Sequence, residues 1–138
     1  MRKQLIFIVT MLVCASASAE VAVIVHPSLG VSTLTESEVS RLFLGKAKDF
    51  PGGGQAVPIN QDDGSAARDA FNEAICKKNS SQYKAYWSQL VFTGKGTPPK
   101  DAGKDAAVKA LIAANPNMIG YVDSSVVDAS VKVVYKIP

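Results

Sequence analysis

Hydrophobic and polar positions change rhythm several times along this chain, and each rhythm predicts an element. Leu5 to Val13 is an apolar run behind Arg2 and Lys3, and small residues follow it from Cys14 to Ala19. Glu20 to His26 is β-branched and almost wholly apolar, the pattern of a strand covered on both faces, and it ends at Pro27. Thr35-Glu36-Ser37-Glu38 is a capping box. It opens a helix with Val39, Leu42 and Phe43 on one face and Gly45 at its end. A loop from Asp49 to Gly54 leads to a short strand, Gln55 to Asn60, where Pro58 predicts an edge or a bulge.

Gln61 to Gly64 reads as a turn. Ser65 to Lys77 then sets Ala67, Phe71, Ala74 and Ile75 at helical core spacing. A third helix, Ser80 to Val91, carries Tyr83, Tyr86, Trp87 and Leu90 as an aromatic stripe that reads as core. Phe92 to Gly103 is a long loop rich in Gly and Pro. Asp105 to Ala114 is a helix ended before Pro116, Met118 to Val122 a buried strand, Ser124 to Asp128 a turn or short helix, and Val131 to Ile137 the last strand. Strands separated by helices predict an α/β layer with a mostly parallel sheet flanked by helices. No internal repeat or linker interrupts the pattern, so residues 20–138 are expected to form one domain.

Composition changes meaning once the first nineteen residues are set aside. A basic start, about ten apolar residues and small side chains before Glu20 form a cleavable export signal, cut after Ala19. The run falls short of the roughly 20 apolar residues that span a bilayer. Cys14 raises the alternative of an acylated lipoprotein, disfavoured because Val13, not a small residue, precedes it. The full chain of 138 residues has 15 basic and 12 acidic side chains and a net charge of +3. Without residues 1–19 there remain 119, with 13 basic against 12 acidic and a net +1. That balance argues against nucleic acid or another polyanion as partner. Export predicts a periplasmic location. Cys76 is the one cysteine left, so an intramolecular disulfide is excluded. A buried place in a helix is its first reading and an intermolecular disulfide the second.

The inventory for chemistry is short. One histidine and one remaining cysteine support neither a zinc cluster nor a Cys-His pair. Ser65 lacks the G-x-S-x-G elbow, and Gly94-Lys95-Gly96 lacks the rest of a phosphate-binding loop. No enzyme and no cofactor are therefore expected. The most informative stretch runs from a strand through a turn into a helix mouth, Ile59 to Arg68. Small residues at such a mouth leave the first N–H groups open to an anion, which the helix dipole favours. Ser65 adds a hydroxyl and Arg68 a guanidinium. Asp62 and Asp63 repel a fully ionised anion, but an acid here can accept from a ligand that still carries a proton, as monohydrogen phosphate does and sulfate does not. These residues alone leave two readings open, a capped helix or an oxyanion site.

At this point the chain resembles the substrate-binding proteins of bacterial phosphate ABC transporters. The resemblance is carried in order by Leu42-Phe43-Leu44-Gly45-Lys46 with Phe50, Asp63-Gly64-Ser65 with Phe71, and Ala85-Tyr86-Trp87. It continues through Phe92-Thr93-Gly94-Lys95-Gly96, Pro98-Pro99, Asn115-Pro116 and Ile119-Gly120-Tyr121-Val122. It implies one lobe of a type II periplasmic-binding-protein fold. It also implies phosphate bound at a helix mouth by an Asp-Gly-Ser-Gly-Thr run preceded by an arginine. Carried over by position, Asp63, Gly64 and Ser65 match; the glycine and threonine fall on Ala66 and Ala67, and the arginine on Gln61. The expected ligand-binding residues are thus Asp63, Gly64, Ser65, Ala66, Ala67 and Arg68. Phosphate or a related oxyanion is the expected ligand, held weakly and linked to uptake or sensing. A membrane permease, a sensor or a second subunit is the expected partner. The alternative from another class is an envelope interaction module with the same fold and no small ligand.

Overall fold

The computed structural model describes residues 20–137. The expected export signal and its cut after Ala19 lie outside the described residues. Five strands form one sheet: β1 (Val21–Val25), β2 (Val57–Asn60), β3 (Lys100–Asp101), β4 (Met118–Asp123) and β5 (Lys132–Ile137), in the spatial order β3-β2-β4-β1-β5. Four helices connect them: α1 (Glu36–Phe43), α2 (Ala66–Phe71), α3 (Ser80–Phe92) and α4 (Asp105–Ala114). α2 runs on through a π-helical turn at Asn72–Cys76, and a 3-10 turn covers Ser124–Val126.

The α/β lobe expected from the sequence is present, but its sheet is mixed. β2 pairs in parallel with β3 and β4, whereas β1 pairs antiparallel with both β4 and β5. Four strands therefore point one way, and β1 alone runs against them. The alternation of strands and helices predicts the parallel crossovers. Nothing local in Val21 to Val25 encodes its insertion in reverse between two late strands, because that pairing joins residues about a hundred positions apart.

All five residues of β1 are buried, as its unbroken apolar run requires. Val21, Val23 and Val25 face a core built with Phe43, Phe71, Tyr83, Trp87 and Tyr121, on the side of α1, α2 and α3. Ala22 and Ile24 face a smaller core under α4, with Val108, Ile112 and Val122. Gly120 of β4 allows α4 to sit this close: a Cβ there would lie 2.9 Å from both Ile112 Cδ1 and Val108 Cγ1. On the larger face Phe71 stacks on Tyr121 with ring centres 4.1 Å apart, and Phe43 meets Phe71 edge-on at 4.6 Å.

The local signals account for the element ends. Thr35 and Glu38 form the reciprocal cap of α1, and Asn79 and Gln82 do the same for α3. Gly45, just past α1, has a φ of +72°, and the Trp87 ring lies where its Cβ would be. In the stripe on α3, Tyr83 and Trp87 are buried, while Tyr86 and Leu90 are half-buried against the same core. Pro58 sits one residue ahead of the stretch of β2 that β3 covers, so that level of the strand is an edge. Within the segment read as a loop, Lys100 and Asp101 add a short strand that two residues are too few to signal.

Candidate functional site

In a sheet with parallel strands, ligand sites gather where the strands end and the chain turns outward. Here β2, β3 and β4 end at Asn60, Asp101 and Asp123, and a polar cluster forms over that edge. Asn60 and Gln61 are each 1% exposed, an unusual depth for two amides. Their hydrogen bonds explain it. Tyr121 Oη donates to Asn60 Oδ1 (2.9 Å) and accepts from the Gln61 N–H (3.1 Å). Asn60 Nδ2 donates to Tyr83 Oη (3.0 Å), which donates to the Phe43 carbonyl (3.3 Å). Gln61 Nε2 donates to Asp105 Oδ1 (2.6 Å) and to the Tyr121 carbonyl (3.0 Å). Burial pushes the Tyr83 hydroxyl up to about 12 and Tyr121 further still, so both stay protonated donors.

The turn that follows delivers the chain to the mouth of α2. Gly64 has a φ of +86°, a conformation that suits glycine alone, and open space surrounds the position a side chain would take. Ser65 caps the helix: its Oγ accepts from the Arg68 N–H at 3.3 Å and donates to Gln61 Oε1 at 2.5 Å. Ala66 and Ala67 open the helix. Their N–H groups, with no carbonyl a turn earlier to receive them, make no hydrogen bond among the described residues. Ala66 is exposed and Ala67 half-buried, so these donors lie at the surface.

The charged residues divide around this mouth. Asp63 is turned toward α3, where Lys84 Nζ pairs with its carboxylate and Ser80 Oγ donates to it at 3.3 Å. The Lys84 bond holds its carboxyl below the usual carboxylate range. Asp62 instead ties down the next loop, exchanging bonds with the backbone of Gly103. Arg68 is only 6% exposed. One of its nitrogens, Nη1, donates to the Gln61 carbonyl (2.8 Å) and to Asp101 Oδ1 (2.9 Å), and the guanidinium lies 5.8 Å from the centre of the Tyr83 ring. Its Nε is buried without a partner.

The six residues singled out from the sequence thus lie on one continuous turn and helix start, and the structure assigns them different work. Gly64, Ala66 and Ala67 offer open backbone. Ser65 and Arg68 are bound into the fold, and Asp63 is paired outward. The sequence reading did not identify Asn60, Tyr83, Asp101, Asp105 or Tyr121. A visible signal existed for the first of these, since Asn60-Gln61 breaks off an apolar strand with two amides. Among the described residues there is no cluster of three or more His, Cys, Asp or Glu able to hold a metal ion. Cys76 is free and buried, and burial raises its thiol to about 12.

No family model matches the chain. Solved structures do, across 84% of it. A protein from Clostridium perfringens, described as a phosphate ABC transporter substrate-binding protein with bound phosphate, aligns at 28% identity and a TM-score of 0.64. The structural relatives of this chain are phosphate-transport binding proteins. An ABC-type phosphate transport receptor from Vibrio cholerae aligns at 15% identity and a TM-score of 0.66, and PstS from Borrelia burgdorferi at 14% and 0.62. These relatives are binding proteins, not enzymes. The chain spans 45% to 47% of their length.

Proposed function

We propose that this chain is an exported phosphate-binding-protein-like domain that receives inorganic phosphate, or a closely related oxyanion, at the mouth of α2. The observation that carries the reading is the pair of unused surface N–H groups on Ala66 and Ala67 behind a glycine turn, at the positive end of a helical segment. The relative with bound phosphate supports it, at 28% identity over 84% of this chain. Asp63, paired with Lys84 and Ser80, stays ionised near the mouth and disfavours an anion that carries no proton. Affinity is weak. Ser65 Oγ and Arg68 Nη1 are already used inside the fold, and an open mouth leaves half of the anion in water. A membrane permease or sensor follows from this reading as the partner, and the periplasm as the place.

The test is thermal stability in rising phosphate. A dissociation constant on the order of 1 mM predicts about 1.4 kcal/mol of stabilisation at 10 mM phosphate, or a rise of about 5 °C. Ala66→Asp keeps the fold, because the site is exposed and an acid suits the first turn, yet it sets a carboxylate where the anion would sit. The shift should vanish in that variant. An equal shift in Ala66→Asp would place the anion elsewhere. A second reading, an interaction module of the envelope, draws on Phe92 and Val91, which stand 92% and 52% exposed at the end of α3. It expects stability indifferent to phosphate and a partner recovered from the periplasm.

A further inference from the structure

Between α3 and the segment 97–101 lies an open groove of about 860 Å³. Its lining includes none of Gly64 to Ala67, and Arg68 alone of the mouth residues reaches it. One wall is apolar, with Trp87, Val91 and Phe92 on α3 and Pro98 and Pro99 in the facing segment. The volume lies within the range of about 300–1,000 Å³ usual for organic ligands. An inorganic ion would leave those walls bare.

Arg68 supplies the other end of the groove. A guanidinium carries five N–H donors in a planar fork. The fold uses only Nη1, while Nε is buried with no partner and Nη2 makes no hydrogen bond among the described residues. Nε is enclosed by the fold, so Nη2 is the donor left for an oxyanion in the groove. Asp101, half exposed on β3, holds the opposite edge as a carboxylate ligand would. Lys84 and Lys100 add positive charge along the lining.

We propose that this groove binds an organic oxyanion: a phosphate, phosphonate or carboxylate headgroup gripped by Arg68, joined to an apolar body at least the size of a benzene ring that lies against Trp87, Phe92 and Pro98. The groove meets the mouth of α2 only at Arg68, and its apolar wall sets its ligand apart from an inorganic ion.

Calorimetric titration with phenylphosphonate, methylphosphonate and inorganic phosphate tests the idea on the full chain. Phenylphosphonate should bind on the order of tenfold tighter than methylphosphonate, because its ring leaves water. Ser88→Trp fills the groove from an exposed position on α3 and should remove that preference. Asp101→Asn releases the guanidinium from its competing carboxylate and should tighten phenylphosphonate by up to about fivefold. Equal affinities for the two phosphonates, or a preference untouched by Ser88→Trp, would overturn the proposal, and docking of a protein on this face predicts that result. Phosphate binding without any gain from the phenyl group leaves the helix mouth standing and removes the groove. A phenyl gain without phosphate affinity does the reverse.

Discussion

Cys76 shows how a residue's chemistry is set by where the fold puts it. The thiol sits 3% exposed beneath the aromatic core, and desolvation raises it from its ordinary 9.0 to about 12. A raised acid contributes stability that is complete below its unfolded value and is lost as pH climbs toward the folded one. Between pH 9 and 12 the unfolded chain gives up a proton that the folded chain keeps. Unfolding free energy from urea titration should therefore fall above pH 9, by about 1.4 kcal/mol at pH 10. Cys76→Ala should flatten this slope whatever its effect on the midpoint at neutral pH. A slope unchanged in Cys76→Ala would show that the thiol is not the titrating group. Tyr83 adds to the decline from pH 10 upward for the same reason. The buried place of Cys76 was readable from its being a lone cysteine in a helical segment. The work of Gln61 was not: the resemblance only set it where an arginine was expected, whereas it locks Ser65 and bridges to Asp105, 44 positions away.

At the scale of elements, the π-helical turn after α2 is the least expected feature. Asn72 opens it, is fully buried, and has both side-chain polar atoms without a partner. A buried amide that bonds to nothing costs more than an apolar group of the same shape. Asn72→Leu should therefore raise stability by about 1 kcal/mol, seen as a melting temperature higher by about 4 °C. A fall in stability would mean that the amide is satisfied in solution. Helix positions and caps were legible because their signals are local: the Thr35 box, the 3.6-residue spacing of Val39, Leu42 and Phe43, and Pro116 after α4. The reversal of β1 and the two residues of β3 escaped because strand partners lie far away along the chain. Helical spacing likewise cannot distinguish an α turn from the π turn at Asn72–Cys76.

For the whole molecule, the two cores on either face of the sheet leave one edge for chemistry, where β2, β3 and β4 end together. The sequence brought attention to this edge through Gly64 and Ser65, and the fold explains why: the polar cluster of Asn60, Gln61 and Tyr121 holds the turn from below. The fold also changes what the edge offers. Ser65 is bound inward and Asp63 is paired with α3, so backbone N–H groups and a half-used arginine remain as donors. The N–H of Ala66 is the proposed contact of the anion. Calorimetric titration of phosphate into the wild-type protein and into Ala66→Pro tests it most directly. Proline at the first position of a helix keeps the fold, and Ser65, with a ψ of 133°, already has the extended backbone that a following proline requires. The substitution removes one N–H and little else. Phosphate should bind the wild type at millimolar concentrations, sulfate should bind more weakly, and Ala66→Pro should lose about tenfold in phosphate affinity. Equal phosphate affinities in the two proteins would mean that the Ala66 N–H is no part of the anion site.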